Sequence, residues 1–307
     1  MKLFMTGGTG YIGQAVARKA ISLGHQVTAL VRQETSAAAT ALARLGVQLH
    51  SGDLREPLSF AATAGAADGV VHAASTNDAS AAAADEAAVV AMLSHLRPGT
   101  AFVYTSGIWV YGNTGAETVT ETSALNPTPL VAWRPAVERH VQALAASRSI
   151  ASAVLRPAMV HGHGGGIFGM LAGMARQAGC VRVVGDGLNH WPAVYVDDLA
   201  AAYLSALERA ARGDDRVTGR IFNVVAEDAV AMADIGAAIR TSLSADRVEP
   251  WPLDDARKSL GPFADALALD QSVSGELARR ALGWEPHGPG LLADLSAQTH
   301  VQQIDGA

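Results

Sequence analysis

The sequence runs Thr6-Gly7-Gly8-Thr9-Gly10-Tyr11-Ile12-Gly13 directly behind a short apolar segment, Leu3-Phe4-Met5. Gly7, Gly10 and Gly13 have the G-x-x-G-x-x-G spacing of a strand that turns sharply into a helix. Because glycines leave the backbone uncovered, a pyrophosphate can approach it and accept hydrogen bonds from the free N–H groups of the helix N-terminus. The stretch therefore predicts a dinucleotide site, and a plain strand-to-helix turn is the alternative.

The residues behind the turn continue the pattern. Ile12, Val16 and Ala20 have helical spacing, and a second apolar strand follows from Gln26 to Val31. Strand and helix patterns then alternate through the strand from Ala101 to Thr105 and beyond. Such alternation builds a parallel sheet with helices on both faces. We therefore predict an α/β protein with a Rossmann-type doubly wound parallel sheet.

The regular units stop near residue 160, where shorter elements joined by glycine, proline and tryptophan begin. We predict a Rossmann domain for binding NAD(P) over residues 1–160, with residues 190–228 returning to it. Residues 161–189 and 229–307 are expected to form a small, mostly helical substrate-binding lobe.

Composition limits the partners. The 307 residues are 49% hydrophobic and 17% charged, with a formal net charge of -6. Without a basic surplus, neither nucleic acid nor an anionic membrane is an expected partner, and no apolar run reaches the roughly 18 residues of a membrane span. A single cysteine, Cys180, and no signal-peptide pattern point to a reducing cytoplasm. We expect a small-molecule substrate, and a homodimer remains open.

The tip of the second strand bears on cofactor choice. An acidic residue there would hold the ribose 2′-hydroxyl of NAD. The sequence instead has Val31-Arg32-Gln33, and the Arg32 guanidinium suits a 2′-phosphate. NADP is therefore favoured and NAD is the alternative, while Arg32 as a solvated charge is the structural alternative.

Further cofactor contacts are expected where later strands end. Asp53 could reach the adenine amine or cap a helix beginning at Pro57. Small residues after the fourth strand leave room for the adenosine half. The complete set of expected cofactor contacts is Gly7, Thr9, Gly10, Tyr11, Ile12, Gly13, Arg32, Asp53, Leu54, Ala73, Ala74, Ser75, Thr105 and Pro157.

Several motifs besides the glycine turn are spread over nearly the whole chain. They are Gly52-Asp53, His72-Ala73-Ala74, Val110-Tyr111-Gly112, Leu155-Arg156-Pro157, Tyr195-Val196-Asp197-Asp198-Leu199-Ala200 and Leu282-Gly283-Trp284-Glu285-Pro286. With the turn, they resemble the extended short-chain dehydrogenase/reductase family, the group of NAD-dependent epimerases and dehydratases. The resemblance is specific for fold and cofactor and unspecific for the reaction.

The resemblance implies catalysis by a serine or threonine after strand five and a Tyr-x-x-x-Lys pair on the next helix, which passes a proton during hydride transfer. Here the serine position holds Gly107, with Ser106 as its neighbour. Counting back from Glu138 puts Trp133 at the tyrosine and Val137 at the lysine. Because neither exchanges a proton, the sequence predicts an atypical active site.

Three residues are candidates for the missing catalytic groups. Tyr111 follows strand five and carries a phenol, although this tyrosine is structural or lines the substrate in typical members. His161 carries an imidazole, a side-chain type that suits acid catalysis, with a polar loop position as its alternative. Ser106 can hydrogen-bond a carbonyl oxygen. No metal site is expected, because the pair His161 and His163 has no third ligand placed nearby.

Trp133, Trp191 and Tyr195 are the expected substrate-binding residues, with core packing as the alternative for the tryptophans. The leading hypothesis is an NAD(P)-dependent oxidoreductase that acts on a small carbonyl or hydroxyl compound. An epimerase or dehydratase that retains its cofactor is one alternative. A non-catalytic NADP-binding redox sensor is the other.

Overall fold

A computed structural model describes residues 1–301 of the backbone and the side chains of residues 1–297. Its strands are, in chain order, β1 (Lys2–Thr6), β2 (Gln26–Val31), β3 (Gln48–Ser51), β4 (Gly69–His72), β5 (Ala101–Thr105), β6 (Thr118–Val119), β7 (Ala151–Pro157), β8 (Met159–His161), β9 (Val181–Val184), β10 (His190–Tyr195), β11 (Arg220–Val224), β12 (Glu227–Ala231), β13 (Val248–Trp251) and β14 (Ser272–Val273).

The helices are α1 (Tyr11–Ser22), α2 (Ala37–Arg44), α3 (Ala61–Gly65), α4 (Ala81–His95), α5 (Arg134–Ser147), α6 (Gly166–Ala178), α7 (Val196–Ala211), α8 (Met232–Leu243), α9 (Leu253–Leu260), α10 (Phe263–Leu267), α11 (Glu276–Leu282) and α12 (Leu291–Val301). Within the described part of the chain, none of these helices is both long and apolar enough to cross a membrane.

A seven-stranded parallel sheet forms the centre of the molecule, in the order β11-β7-β5-β4-β1-β2-β3. The chain proceeds outward from β1 through β2 to β3, and then returns to β4 on the other side of β1. This reversal is the switch point at which ligands bind outside the carboxyl ends of the strands. The predicted doubly wound sheet is confirmed.

Helices cover both faces of this sheet because strands in a parallel sheet are buried on both sides. Val16 of α1 and Leu204 of α7 belong to one core, whereas Met92 of α4 and Val141 of α5 belong to the other. The glycine turn therefore lies between two well-packed layers, which fix its position at the sheet edge.

The lobe has a core of its own. Strands β8, β10 and β12 form a second sheet, and Phe168, Trp191 and Ile235 pack together beside it. The chain returns to the main sheet through α7 and β11. Strand β10, which we expected to return with them, instead pairs with β8 and β12 in the lobe sheet. Residues 302–307 of the predicted lobe lie outside the described residues.

Two of the distant sequence motifs meet at the start of α7. The Asp198 carboxylate accepts hydrogen bonds from the backbone N–H groups of His287 and Gly288, at 3.0 and 2.8 Å. The indole of Trp284 donates to the Asp198 carbonyl at 2.8 Å. These motifs therefore fasten the C-terminal segment to the sheet domain and hold the lobe in place.

Candidate cofactor and substrate site

The structure gives a different reason for glycine at each of the three motif positions. Gly7 has φ +74°, and a Cβ added to it would lie 2.5 Å from the Ala73 carbonyl oxygen. A Cβ on Gly13 would lie 2.0 Å from the Gly7 carbonyl oxygen. At Gly10 an added Cβ would meet the Gly7 oxygen alone, at 3.2 Å. Gly7 and Gly13 are thus required by the packing of the turn itself, whereas Gly10 keeps the adjoining cleft open.

That cleft has a volume of about 450 Å³ and follows the carboxyl edge of the sheet. The first helical hydrogen bond of α1 runs from Gln14 N to Gly10 O, at 2.9 Å. The N–H groups before it in the helix have no helical acceptor and are available to an anion. Expected cofactor residues that line the cleft are Gly7, Thr9, Gly10, Tyr11, Ile12, Gly13, Arg32, Asp53, Leu54, Ala73, Ala74 and Ser75.

The β2–β3 end of the cleft holds two guanidinium groups. Arg32 is exposed, and Arg55, which sequence reasoning missed, lines the same cleft and pairs with Asp78. Asp53 accepts a hydrogen bond from Arg55 N at 2.9 Å. It therefore shapes the turn after β3 and does not cap the short helical turn at residues 57–59, where no side-chain cap is formed.

A second cavity of about 980 Å³ continues from the first, since Tyr11, Ile12, Ser75 and Asn77 line both. Its wall is mainly apolar, and Pro157 belongs to it. Thr105 lines neither space; its carbonyl and hydroxyl oxygens are occupied within the protein. The large apolar side chains of the wall are Ile108, Trp109, Leu130, Val131, Trp133, Met159, Ile167, Met170 and Phe263.

Apolar residues outnumber polar ones in this second cavity, whose polar side chains are those of Tyr11, Ser75, Asn77, Asp78, Ser106 and Arg134. Ser106 is 8% exposed, and neither its Oγ nor the indole nitrogen of Trp109 has a hydrogen-bond partner among the described residues. Arg134 donates to the Thr105 carbonyl at 3.0 Å. Tyr11 donates its hydroxyl to the Gly162 carbonyl at 2.7 Å, and burial raises its pKa well above the ordinary value, so the phenol stays protonated.

Tyr111 is not placed to act on a substrate. It is 2% exposed, donates to Asn223 Oδ1 at 2.8 Å and accepts from Arg156 at 2.7 Å. Arg156 in turn forms a buried ion pair with Glu138. The position of Tyr111 does not support the predicted catalytic role, because its hydroxyl is used in this internal network and the residue lines neither cavity.

His161 is also turned away from the cavities. It is 1% exposed, its Nδ1 lies 3.1 Å from the Asp294 carboxylate, and its ring contacts Phe168 and Tyr195 edge-on. This position does not support the predicted role of His161 as a catalytic acid, and the residue is a buried part of β8 and not a polar loop residue. The imidazole instead connects the end of β8 to α12.

Of the three expected substrate residues, Trp133 alone lines the second cavity. Trp191 is fully buried in the lobe core and donates its indole N–H to the Leu269 carbonyl at 3.1 Å. Tyr195 packs between His161 and His163, with ring centroids 5.4 and 5.6 Å away, and lines neither cavity. The expected substrate contacts of Trp191 and Tyr195 are therefore corrected to packing.

The assumed register of α5 also fails. Val137 is 3% exposed in the core beneath the helix and does not reach the cavity. Two pairs with the same four-residue spacing do line the cavity, Pro129 with Trp133 and Leu130 with Arg134. The sequence offers Arg134 as a residue that binds an anionic substrate or is only solvated; the register counted from Glu138 put Val137 at the site instead, whereas the structure places Arg134, in the first turn of the helix, on the cavity wall.

Comparison with known proteins adds the family. The model of the NAD dependent epimerase/dehydratase family matches residues 3–224. An uncharacterized protein of Saccharomyces cerevisiae is 30% identical over 97% of this chain and 98% of its own length. A 2-alkyl-3-oxoalkanoate reductase of Stenotrophomonas maltophilia is 28% identical over 93% of this chain and 95% of its own.

Among solved structures, the dTDP-glucose 4,6-dehydratase of Streptomyces venezuelae, determined with NAD bound, superposes with a TM-score of 0.81. The superposition covers 99% of this chain and 98% of that one at 19% identity, a likeness of fold.

Proposed function

Because the chain belongs to the NAD-dependent epimerase/dehydratase family, we propose that it is an NADP-dependent reductase of a small, largely apolar carbonyl compound. The observation that carries the proposal is the apolar wall of the second cavity, next to the dinucleotide cleft. A sugar would need polar partners for its hydroxyl groups, since burying them without hydrogen bonds is costly. The cavity offers few, which favours a carbonyl substrate with an apolar body.

The similarity to the reductase from Stenotrophomonas maltophilia supports the same reaction class, because that relative by its name reduces an oxo group on an alkyl chain. For the cofactor we propose NADP over NAD. Arg32 and Arg55 supply two cations at the end of the cleft where an NAD-binding protein would present a carboxylate.

The glycine turn and the small residues Ala73 and Ala74 fit a dinucleotide because side chains there would fill its path. When bound, the nicotinamide supplies the hydride that becomes the new C–H bond of the product. The cavity wall positions the carbonyl carbon, which by itself accounts for a large part of the rate enhancement.

Ser106 is the proposed partner of the carbonyl oxygen. Ser106 is a lining residue of the cavity, and its buried hydroxyl has no hydrogen-bond partner in the described chain. It donates a hydrogen bond to the oxygen as negative charge develops there, and solvent water supplies the proton. Neither Leu130 nor Arg134 can replace the tyrosine of the Tyr-x-x-x-Lys pair as an acid. The proposed reaction therefore depends on the orientation of the substrate and on a carbonyl carbon that is already activated toward hydride transfer.

The test is NADPH consumption by the purified protein with a panel of ketones, aldehydes and 3-oxo acids. We expect turnover, and Ser106→Ala should lower kcat by roughly 10²-fold, as for a lost oxyanion donor. Ser147→Ala, on the far end of α5, is the matched control and should keep parental kcat. An isomerised product without NADPH loss would favour a retained-cofactor epimerase, and NADPH binding without any product would favour the sensor.

A further inference from the structure

Arg134 is an unpaired cation on an apolar wall. Its side chain is partly buried, and no carboxylate lies within salt-bridge distance of it in residues 1–297. Asp78 lines the same cavity, but its carboxylate is already paired with Arg55. The charge of Arg134 is therefore left without a counterion among residues 1–297.

The position of this guanidinium is nevertheless fixed. Its central carbon lies 4.5 Å from the centroid of the Trp133 ring, and one terminal nitrogen donates to the Thr105 carbonyl at 3.0 Å. A guanidinium carries five N–H donors in a planar fork, so most remain available after this bond. An arginine held in place on a wall where water is partly excluded is arranged to receive an anion.

We infer that the substrate carries a carboxylate and that Arg134 binds it, an inference that rests on the proposed reductase function. The planar fork matches two carboxylate oxygens at once. The apolar body of the substrate then lies against side chains such as Trp109, Met170 and Phe263, and its carbonyl oxygen lies at Ser106. The substrate class is thus an oxo acid with an aliphatic chain.

A carboxylate fits this wall better than a phosphate. A phosphate monoester carries up to two charges and three acceptor oxygens, and it is usually met by several donors or by a helix N-terminus. The residues lining the second cavity provide a single cation, Arg134, and the remaining side-chain donors there, such as Ser75, Asn77 and Ser106, are uncharged. A carboxylate, which has one charge and two oxygens, therefore matches the single guanidinium on this wall.

The experiment measures binding without turnover, so that it succeeds or fails separately from the proposed reaction. Octanoate and octanamide have no ketone to reduce and differ in charge at one end. Each is titrated calorimetrically into the full-length protein saturated with NADP, and the NADP affinity of every variant is measured beside it. The variants are Arg134→Gln, Arg134→Lys and, as a matched control, Arg139→Gln, which removes an exposed charge one turn along the same helix.

We expect the parent protein to bind octanoate at least 10-fold more tightly than octanamide. Arg134→Gln should weaken octanoate binding by roughly 10- to 150-fold, the range of a charge-assisted hydrogen bond. The affinity for octanamide should not change. Arg134→Lys should fall between, and Arg139→Gln should match the parent. Equal binding of both ligands, no detectable octanoate binding, or a loss of NADP affinity in Arg134→Gln with octanoate unaffected would each overturn the assignment. If the protein preferred octanoate but never consumed NADPH, the proposed reductase function would be refuted and the proposed carboxylate site at Arg134 would be supported.

Discussion

The variant Gly10→Val tests whether glycine at position 10 is required by the bound dinucleotide or by the fold of the protein. Gly10 has φ -79° and ψ 170°, an extended conformation that any residue adopts. Its added Cβ would meet one backbone oxygen at 3.2 Å, a contact that a small shift relieves. Since glycine is an N-cap of α1 without a side-chain bond, replacing it should cost about 1 kcal/mol of folding free energy.

The same variant should lose far more free energy of NADPH binding than of folding. The branched side chain would stand in the cleft, where the N–H groups of Tyr11, Ile12 and Gly13 precede the first helical hydrogen bond. Losing two charge-assisted hydrogen bonds from a pyrophosphate costs about 3 to 6 kcal/mol, at about 1.5 to 3 kcal/mol each. That energy corresponds to a roughly 10²- to 10⁴-fold larger dissociation constant for NADPH.

The assay pairs calorimetric NADPH titration with urea unfolding followed by circular dichroism. Gly173→Val, at a glycine of α6 with nothing within 4 Å of an added Cβ, is the control and should bind NADPH as the parent does. Gly13→Ala should instead lose stability, because its Cβ would lie 2.0 Å from the Gly7 oxygen. If Gly10→Val bound NADPH within threefold of the parent, the glycine turn would have only a structural role.

Three further predictions concern single side chains. Arg32→Ala should reduce the preference for NADPH over NADH by about 1.5 to 3 kcal/mol, measured by titration of both nucleotides, and equal affinities in the parent would contradict the assignment. Glu138→Gln leaves the buried Arg156 guanidinium, 2% exposed, without its counterion and should cost about 3 to 5 kcal/mol in urea unfolding; a loss below about 1 kcal/mol would mean that water or a rearranged partner compensates. Tyr111→Phe should keep kcat and its pH profile while losing about 1 to 3 kcal/mol of stability, because the hydroxyl leaves two buried partners unpaired; a 10²-fold fall in kcat would return this tyrosine to catalysis.

The amino-acid sequence alone determined the parts that depend on neighbouring residues. The glycine spacing, the alternation of strand and helix and the absence of an acid after Val31 are local patterns, and each follows from the backbone conformations its residues allow. Secondary structure and the cofactor cleft follow from them, since parallel strands bring their carboxyl ends to one edge. Arg55 escaped notice because its place on the same cleft as Arg32 depends on the pairing of β2 with β3.

Only the tertiary structure decided which side chains reach the substrate cavity. Residues three apart on a helix differ by about 60° in direction and 4.5 Å in height, and this offset leaves Arg134 on the wall while Val137 enters the core. Trp191 and His161 have residue types suited to a site, yet the lobe covers both with contacts from distant segments. Such burial depends on how elements far apart in sequence pack together, which no local spacing encodes.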